Sequence, residues 1–521
     1  MVIIASNQRK TKPLAMDLTF SFIFILLLPL FTFLLFHHLS IKKPTSEGLK
    51  PHPLIGHLPH FIKHRHRFLD WITDVLTSNP SHTMSLQIPF QDYGILTANP
   101  LNVEHILKTN FGNYPKGQRS TTFLQDFLGQ GIFNSDGEQW RHQRKLASYE
   151  FNKRSLRNFV MDTVQLEIEN RLLPLLRRAE ERDEVLDFQD ILESFGFDNI
   201  CKVAFNEDPA CLSIDEEEEK KKSMSKGFKK AFGDAQSLSM VRFMDVFPFT
   251  WRIKKMLDIG SEKKLRKSVS IVREFAMKII RDRRRDNRDH DGDDLLSRFS
   301  SEKEKSEEFL RDIVISFVLA GRETTSSALS WFFWLVSTRT DVEEKIVKEV
   351  DEIRARHGNF REGFDYDKLR EMQYLHAAVT ESMRLYPPVA IDTLACKEDD
   401  TLPDGNFVGK GWFVSYSAYA MGRLEEIWGE DWGVFRPERW LEDGVFKPEN
   451  PFKFPVFHAG PRMCLGKEMA YIQMKSVAAS VFEEFKVEVL LEKGRSPEHV
   501  LSMTLRMRDG LPVQVKRRER S

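Results

Sequence analysis

An uncharged apolar segment near the N-terminus stands apart from the rest of the chain. Residues 18–36 are almost wholly apolar and contain no charged side chain. A helix of this length spans about 28 Å at ~1.5 Å per residue, enough to cross the hydrocarbon core of a bilayer. We therefore predict a tail at 1–17, a single-pass membrane anchor at 18–36 and a stiff, proline-rich linker at 37–59. A cleaved signal peptide and a buried soluble helix are the alternatives, although a signal peptide has a shorter apolar core.

Beyond the linker, helical patterns are interrupted by short stretches typical of strands. Apolar and polar residues alternate at 83–88 and 93–97, which predicts two strands. We expect a short helix over 102–108 and an irregular loop over 111–133, where glycine and threonine are frequent. The pattern as a whole predicts a mainly α fold with small β-sheets over residues 60–521.

A long apolar helix is predicted over 313–334, with a polar interruption at 320–325. Glycine and paired threonines are poor helix formers, and threonine hydroxyls can bond back to the backbone and bend a helix. A carboxylate inside such a helix is costly unless it is used. Gly321, Glu323 and Thr324 are therefore candidate functional residues, and a polar patch between packed helices is the simpler alternative.

Composition narrows the classes of partner. Lysine plus arginine and aspartate plus glutamate both number 77, so the net charge is zero and no nucleic-acid partner is expected. Four cysteines are too few for a disulfide scaffold, and no pair has the spacing of a zinc site. A reducing compartment suits the globular part of the chain.

The richest candidate chemistry lies in residues 457–466, FHAGPRMCLG. Cys464 is either a buried free cysteine or an axial thiolate ligand to a haem iron. Gly460 permits a tight turn and a close approach of the backbone to a cofactor. Arg462 can pair with an anionic group such as a haem propionate, and Phe457 can shield the sulfur.

These residues follow the pattern Phe-x-x-Gly-x-Arg-x-Cys-x-Gly, which resembles the haem-binding signature of the cytochrome P450 superfamily. The resemblance implies a cytochrome P450 fold, with a single large catalytic domain over 60–521 behind an N-terminal transmembrane helix. It also implies that Cys464 binds the iron of haem b. Gly321 would then mark a groove for dioxygen, with Glu323 and Thr324 as the acid–alcohol pair that supplies protons.

Two further groups of residues acquire roles through this resemblance. Trp140 and Arg144 share one helix face and can bind a single anion, which the resemblance implies is a haem propionate; an exposed basic helix is the simpler alternative. Glu381 and Arg384 also share a helix face, and with Arg439 they resemble a buried triad beneath the haem. We assign this triad to structure rather than to catalysis.

The implied partners are a membrane, a hydrophobic small-molecule substrate and an NADPH–cytochrome P450 reductase that supplies electrons from NADPH. The implied location is the endoplasmic reticulum membrane, with the catalytic domain in the cytosol. Basic residues flank the anchor on both sides, so charge does not decide its orientation. The apolar stretch 238–251 either lines a substrate entrance, dips into the bilayer or packs in the core, and 501–505 is a candidate substrate contact.

Residues 320–335, 428–431 and 460–476 resemble plant family 94 of the superfamily. The resemblance implies hydroxylation of the terminal (ω) carbon of a fatty acid or of a sterol side chain, the latter in steroidal saponin synthesis. A jasmonate–amino-acid conjugate is the alternative substrate, and a reductase-independent isomerase or lyase and a non-catalytic binding protein are the other classes. Leu394 stands where members with carboxylate substrates usually carry lysine, and the loss of a cation there weakens the case for an acidic substrate. Ala390 also replaces a usual proline.

Overall fold

The computed structural model describes most of the chain between Leu49 and Glu519. The described residues are 49–52, 55–89, 91, 93–151, 154–215, 219–247, 249–285, 306–357, 363–492, 496–500 and 502–519, with Leu28, Thr32, Leu296 and Phe299. The predicted tail and nearly all of the predicted anchor therefore lie outside the described residues, as does Leu501 of the predicted substrate contact. Among the residues that are described, no helix combines the length and the apolar character that crossing a membrane requires.

Helices make up most of the described structure. They are α1 (Leu58–His64), α2 (Phe68–Ser78), α3 (Pro100–Glu104), α4 (Gly117–Leu128), α5 (Gly137–Phe151), α6 (Arg154–Glu167), α7 (Leu173–Glu181), α8 (Phe188–Phe205), α9 (Glu219–Met244), α10 (Thr250–Met256), α11 (Gly260–Arg285), α12 (Glu307–Val318), α13 (Thr324–Ser337), α14 (Thr340–His357), α15 (Tyr366–Glu371), α16 (Gln373–Leu385), α17 (Ala418–Met421), α18 (Glu425–Trp428) and α19 (Lys467–Glu484). The predicted mainly α fold is confirmed.

The strands are short and form small sheets. They are β1 (Thr83–Leu86), β2 (Gly94–Thr97), β3 (Leu186–Asp187), β4 (Asp392–Ala395), β5 (Asp400–Thr401), β6 (Phe407–Val408), β7 (Phe413–Tyr416), β8 (Leu441–Glu442), β9 (Val445–Phe446), β10 (Phe485–Val489), β11 (His499–Val500), β12 (Arg506–Met507) and β13 (Pro512–Arg517). The largest sheet has the order β1-β2-β7-β4, in which β2 and β7 are parallel. Strands β11 and β12 form an antiparallel hairpin near the C-terminus.

The core is organised around α13, which packs against α8, α16 and α19. Its aromatic residues Trp331, Phe332 and Phe333 are fully buried. The preceding helix, α12, is capped at its N-terminus by Ser306, whose hydroxyl accepts a hydrogen bond from the Phe309 N–H. Because residues 325–336 of α13 are all buried, it is a central helix rather than a surface one.

The prediction of an irregular loop over 111–133 is wrong. This region contains α4, since Ser120, Phe123 and Phe127 recur at helical spacing and are buried along one face. The Thr121 hydroxyl donates a hydrogen bond to the Gly117 carbonyl at 3.0 Å, so the threonine does not break the helix. The two strands predicted earlier in the chain are confirmed as β1 and β2. The short helix predicted over 102–108 is confirmed as α3 and the π turn that follows it.

Candidate active site

The loop that carries Cys464 is built from two short 3-10 turns, Pro455–Phe457 and Gly460–Arg462, which lead into α19. The Cys464 N–H donates to the Phe457 carbonyl at 2.8 Å and closes the loop. Gly460 has φ +63°, and a Cβ on it would lie 2.0 Å from the carbonyl oxygen of Leu107. A glycine is therefore required here both by the left-handed backbone and by the packing of the loop on the residues after α3.

The sulfur of Cys464 sits just before the N-terminus of α19. Burial raises the pKa of its thiol, whereas a hydrogen bond from the Gly466 backbone and the charges of Arg144 and Lys467 act in the opposite direction. A bound metal cation would favour the thiolate outright. The positive surroundings therefore suit a cysteine that works as a metal ligand better than one that only fills space.

Arg462 supplies the test of whether the site fits a haem. Its guanidinium donates to Asp136 Oδ1 at 2.7 Å and to the Ser135 carbonyl at 3.0 Å, and it lies 4.4 Å from the centre of the Trp140 ring. Its Nε is buried and finds no acceptor among the residues that the structure describes. A buried N–H without an acceptor is destabilising, and a haem propionate would supply the missing oxygen. The residues present thus fit a haem with its anionic edge toward Arg462.

The structure brings Trp140, Arg144, Arg462 and Cys464 together around one loop. Trp140 is buried, and Arg144, one turn further along α5, donates to the Met463 carbonyl at 2.5 Å. Phe457 is placed differently from the expectation: its ring packs on Tyr471, with 5.4 Å between centroids, and its carbonyl is the group that contacts Cys464. Shielding of the sulfur by Phe457 stays a prediction.

Two acids that the sequence did not mark hold the same region together. Asp136 accepts from Arg462 and from the backbone N–H groups of Lys116 and Gly117, at 2.9 and 3.1 Å. The Lys116 ammonium donates to both oxygens of Asp392, at 2.6 and 2.9 Å. Although burial alone would raise the pKa of Asp392, Lys116 and His458 outweigh it and the pKa is lowered. No motif marks Lys116 or Asp136, since each is paired across a long stretch of chain.

The interruption predicted in the long apolar helix is confirmed as a π turn, Leu319–Glu323, between α12 and α13. Thr324 donates its hydroxyl to the Ala320 carbonyl at 2.7 Å. A Cβ on Gly321 would lie 2.5 Å from Ile200, so the glycine lets α8 approach the turn closely. A dioxygen groove at Gly321 stays a prediction, because the structure accounts for this glycine by helix packing.

Glu323 is 1% exposed and lies in an ion pair with Arg322, with 2.6 Å between Oε1 and Nη1. Arg322 in turn pairs with Glu193 of α8 at 2.9 Å. Neither carboxylate oxygen of Glu323 has a hydrogen-bond partner in the described part of the chain. Glu323 and Thr324 can be identified from the sequence, but Arg322 and Glu193 cannot, because an ion pair between two distant elements leaves no local pattern.

The predicted triad is assembled in the structure. Arg384 donates to the two oxygens of Glu381 at 2.8 and 2.7 Å, and Arg439 Nε lies 3.4 Å from the same carboxylate. The Trp440 indole N–H, at 2.8 Å, and the Arg436 backbone N–H, at 3.1 Å, complete the shell around Glu381. The buried charges are thus paired and hydrogen-bonded, as burial requires.

Comparison with known proteins bears on the same residues. The family model for Cytochrome P450 matches residues 47–513. Cytochrome P450 CYP94D108 of Paris polyphylla is 50% identical over 91% of this chain and 92% of the relative. Cytochrome P450 94A1 of Vicia sativa is 45% identical over 90% of each chain. Cytochrome P450 94B1 of Arabidopsis thaliana is 45% identical over 95% of this chain and 98% of the relative.

A match of this extent leaves no large part of the described body outside the alignment. The matched region also contains the Cys464 loop, the π turn and the triad. The chain therefore belongs to the cytochrome P450 family, and it is a monooxygenase that uses haem b, dioxygen and electrons passed from NAD(P)H by a reductase.

Proposed function

We propose that this monooxygenase hydroxylates the terminal carbon of a long aliphatic chain, carried by a fatty acid or by the side chain of a sterol. The observation that carries the proposal is the resemblance of 320–335, 428–431 and 460–476 to family 94, together with relatives named as members of that family. The chemistry common to that family, as the resemblance implies, is attack on an unactivated terminal methyl group.

The residues around Cys464 would hold the cofactor. The Cys464 thiolate would bind the iron, while Arg462, Trp140 and Arg144 would receive the propionates. When bound, the haem supplies the oxidising power that insertion of oxygen into an unactivated C–H bond needs. The Arg462 Nε, buried without an acceptor among the described residues, is the atom that supports this assignment most directly.

Glu323 and Thr324 would supply protons from the opposite wall of the site. The π turn leaves the helix locally wider, and the Thr324 hydroxyl can exchange its bond to the Ala320 carbonyl for a bond to water. The Glu323 carboxylate is held beside Arg322 and would have to turn away from it to pass a proton. Proton delivery is therefore tied to an ion pair that must open.

The main sheet favours an apolar substrate near β4. Leu394 is 2% exposed, and the acid two residues before it, Asp392, is already neutralised by Lys116. Position 394 thus presents no cation to a substrate carboxylate. This arrangement supports a sterol side chain as strongly as a fatty acid.

We also propose that the protein is held at the endoplasmic reticulum membrane by residues 18–36, with its body in the cytosol. Apolar side chains are exposed where the predicted entrance 238–251 meets α10, since Phe247 and Phe249 are 41% and 48% exposed. Met256, at the end of α10, is 78% exposed. An exposed apolar patch of this kind fits a surface that rests on lipid.

The experiment is NADPH-dependent turnover in microsomes that contain the protein and a plant reductase. Long-chain fatty acids and side-chain-hydroxylated cholesterol are offered together, and products are identified by mass spectrometry. We expect terminal hydroxylation of one of the two. Oxidation at inner carbons only would contradict the proposal, as would product formation that does not need NADPH, which would indicate an isomerase or lyase. Turnover of a jasmonate–amino-acid conjugate alone would identify that conjugate, rather than a fatty acid or a sterol, as the substrate.

A further inference from the structure

A cluster of four charged side chains, three of them buried and the fourth, Arg506, 32% exposed, connects the π turn to the C-terminal hairpin. Glu323 forms an ion pair with Arg322, and Arg322 forms a second one with Glu193 at 2.9 Å. Glu193 is also paired with Arg506, at the start of β12. The side chains of Arg322, Glu323 and Glu193 are 2%, 1% and 5% exposed. These ion pairs thus link three elements, α8, the π turn and the β11–β12 hairpin.

Hydrogen bonds between its own members satisfy only part of the cluster. Arg322 donates to Glu193 Oε2 at 2.9 Å, and Glu323 Oε1 is matched only by the ion pair with Arg322 Nη1. Glu323 Oε2, Arg322 Nε and Arg506 Nε are buried and have no hydrogen-bond partner within the described residues. Buried polar atoms are normally satisfied by protein or by ordered water. One open acceptor and two open donors in one place fit a site that holds water beside Glu323, as proton transfer from this carboxylate would need.

Glu193 and Glu323 compete for a single guanidinium. Burial, and after it the charge of Glu323, raises the pKa of Glu193, while Arg322, Arg506 and Lys229 act in the opposite direction. Arg506 pairs with Glu193 Oε1 while Arg322 pairs with Oε2, so Arg506 limits how far Glu193 can draw Arg322 to itself. If Arg506 moves away from Glu193, Arg322 shifts toward Glu193 and its ion pair with Glu323 changes.

The position of Arg506 is set by α13. The Ser327 hydroxyl and the Trp331 indole N–H both donate to the carbonyl of Leu505, at 2.6 and 3.0 Å. The Leu505 N–H donates to the Pro388 carbonyl at 2.8 Å, next to the segment that leads into β4. Residue 505 is also the last of the predicted substrate contact 501–505. A displacement of the segment that contains Leu505 would therefore move Arg506 as well.

We propose that Glu193 and Arg506 are positioning residues that set the direction of the Glu323 carboxylate through Arg322, and that they link the C-terminal hairpin to proton delivery. The inference rests on the proposed role of Glu323. Neither residue needs to touch the substrate or the cofactor. Their role is to set how the Arg322 guanidinium is shared between the carboxylates of Glu193 and Glu323.

The test uses the haem-loaded, membrane-bound protein with its reductase, and compares Arg506→Gln with Arg508→Gln. Arg508 lies on the same hairpin segment and pairs with Glu498 at 2.7 Å, but both side chains of that pair are about half exposed. We expect Arg506→Gln to lower the product formed per NADPH consumed several-fold, with the half-saturating substrate concentration unchanged. Arg508→Gln should leave both quantities unchanged, and Arg506→Lys should restore part of the coupling.

A second measurement is independent of turnover. Hydrogen exchange of the amides of residues 319–323 should become faster in Arg506→Gln but not in Arg508→Gln, because of the two arginines only Arg506 is linked to the π turn, through Glu193 and Arg322. The double variant Glu193→Gln/Arg506→Gln should be no worse than Glu193→Gln alone, since the two residues act through one contact.

The outcomes separate the inference from the role on which it rests. If Glu323→Gln leaves the coupling to NADPH intact, the proposed role of Glu323 fails, whatever the exchange rates show. If Glu323→Gln uncouples the enzyme but Arg506→Gln behaves like Arg508→Gln, the positioning inference is overturned. Faster exchange in Arg506→Gln with normal coupling would also overturn it, because it would leave Arg506 a purely structural role.

Discussion

At the scale of single residues, the proposed cofactor site consists of a few side chains held by backbone groups and by neighbouring side chains. Cys464 is placed by its own N–H and by the Gly460 turn, and Arg462 is placed by Asp136 and Trp140. Each of these residues has one feature that packing alone does not explain. For Arg462 it is the buried Nε without an acceptor among the described residues, and for Cys464 it is a thiol surrounded by positive charge.

Replacement of Cys464 tests the ligand directly. We expect Cys464→Ala to abolish thiolate-ligated haem, because none of the other cysteines, Cys201, Cys211 and Cys396, belongs to the Cys464 loop. The measurement is the ferrous–CO difference spectrum, with Cys211→Ala as the matched control that should keep it. A normal spectrum in Cys464→Ala would overturn the assignment of the iron ligand.

Glu167 gives a prediction for pH. Burial, and then the charge of Asp198, raises the pKa of Glu167 from 4.5 to about 8 despite the opposing Arg171. The folded state therefore keeps a proton that the unfolded state releases near its ordinary pKa, so this residue makes the protein less stable as pH rises between these two values. Glu167→Gln removes this loss of stability. The difference between the unfolding midpoint of the variant and that of the original protein should therefore increase, in favour of the variant, from pH 5 to pH 8.

The control for this prediction is Glu169→Gln, which lies on the same stretch of chain with an exposed side chain. Its midpoint, measured by thermal unfolding at each pH, should follow the original protein in parallel. A constant gap between Glu167→Gln and the original protein would show that Glu167 is already ionised in the folded state at the lowest pH.

At the scale of elements, the close contact between α8 and the π turn controls the geometry of the acid–alcohol segment. Gly321 faces Ile200, and a Cβ on Gly196 would lie 2.9 Å from the carbonyl oxygen of Arg322. Two glycines from two elements thus allow the backbones to meet. The contact brings Glu193 within reach of Arg322.

Gly321→Ala should separate these elements. The added methyl group would meet Ile200 at 2.5 Å, and overpacking of this kind costs about 1–3 kcal/mol of stability. Gly227→Ala is the control, because this glycine lies in α9 with open space around its α carbon, and alanine there should stabilise the helix by up to about 1 kcal/mol. Chemical unfolding measures both, and equal stabilities of the two variants would contradict the packing argument.

At the scale of the whole molecule, the triad ties distant parts of the chain together. Glu381 of α16 is bonded to the segment after α18 through Arg439, Trp440 and the backbone of Arg436. Arg384 extends the same network to the Gly422 carbonyl. The charges do not make the fold stable by themselves, but removing one of them leaves the others buried and unpaired.

Glu381→Gln is therefore expected to destabilise the protein by about 3–5 kcal/mol, because Arg384 is fully buried and loses its counter-ion. The readouts are unfolding by denaturant and the haem content of the purified protein, and we expect both to fall. Glu398→Gln breaks an exposed pair with Lys410 and should change stability by less than about 1 kcal/mol. Similar losses in the two variants would contradict the structural role of the triad.

What could be predicted from the sequence was whatever is encoded locally. The Cys464 loop, the interrupted apolar helix and the i, i+3 pair Glu381–Arg384 each fall within a short window. The helix α4 does not stand out in the sequence, because the glycines of 111–133 and the pair Thr121–Thr122 mask the apolar face of Phe123 and Phe127. The pairs of Arg322 with Glu193 and of Lys116 with Asp392 could not be predicted, because tertiary contacts between distant elements leave no pattern in one sequence.

The hydrogen bond from Arg144 to the Met463 carbonyl joins residues 319 positions apart, and this separation has a consequence during translation. At ~5–20 residues per second, roughly 15 to 60 s pass between the emergence of α5 from the ribosome and that of the loop it holds. A chain that stops before Cys464 has Arg144 and Trp140 of the proposed cofactor site but not the loop that Arg144 contacts. If Cys464 is the iron ligand, thiolate-ligated haem can therefore form only after residue 464 has been synthesised.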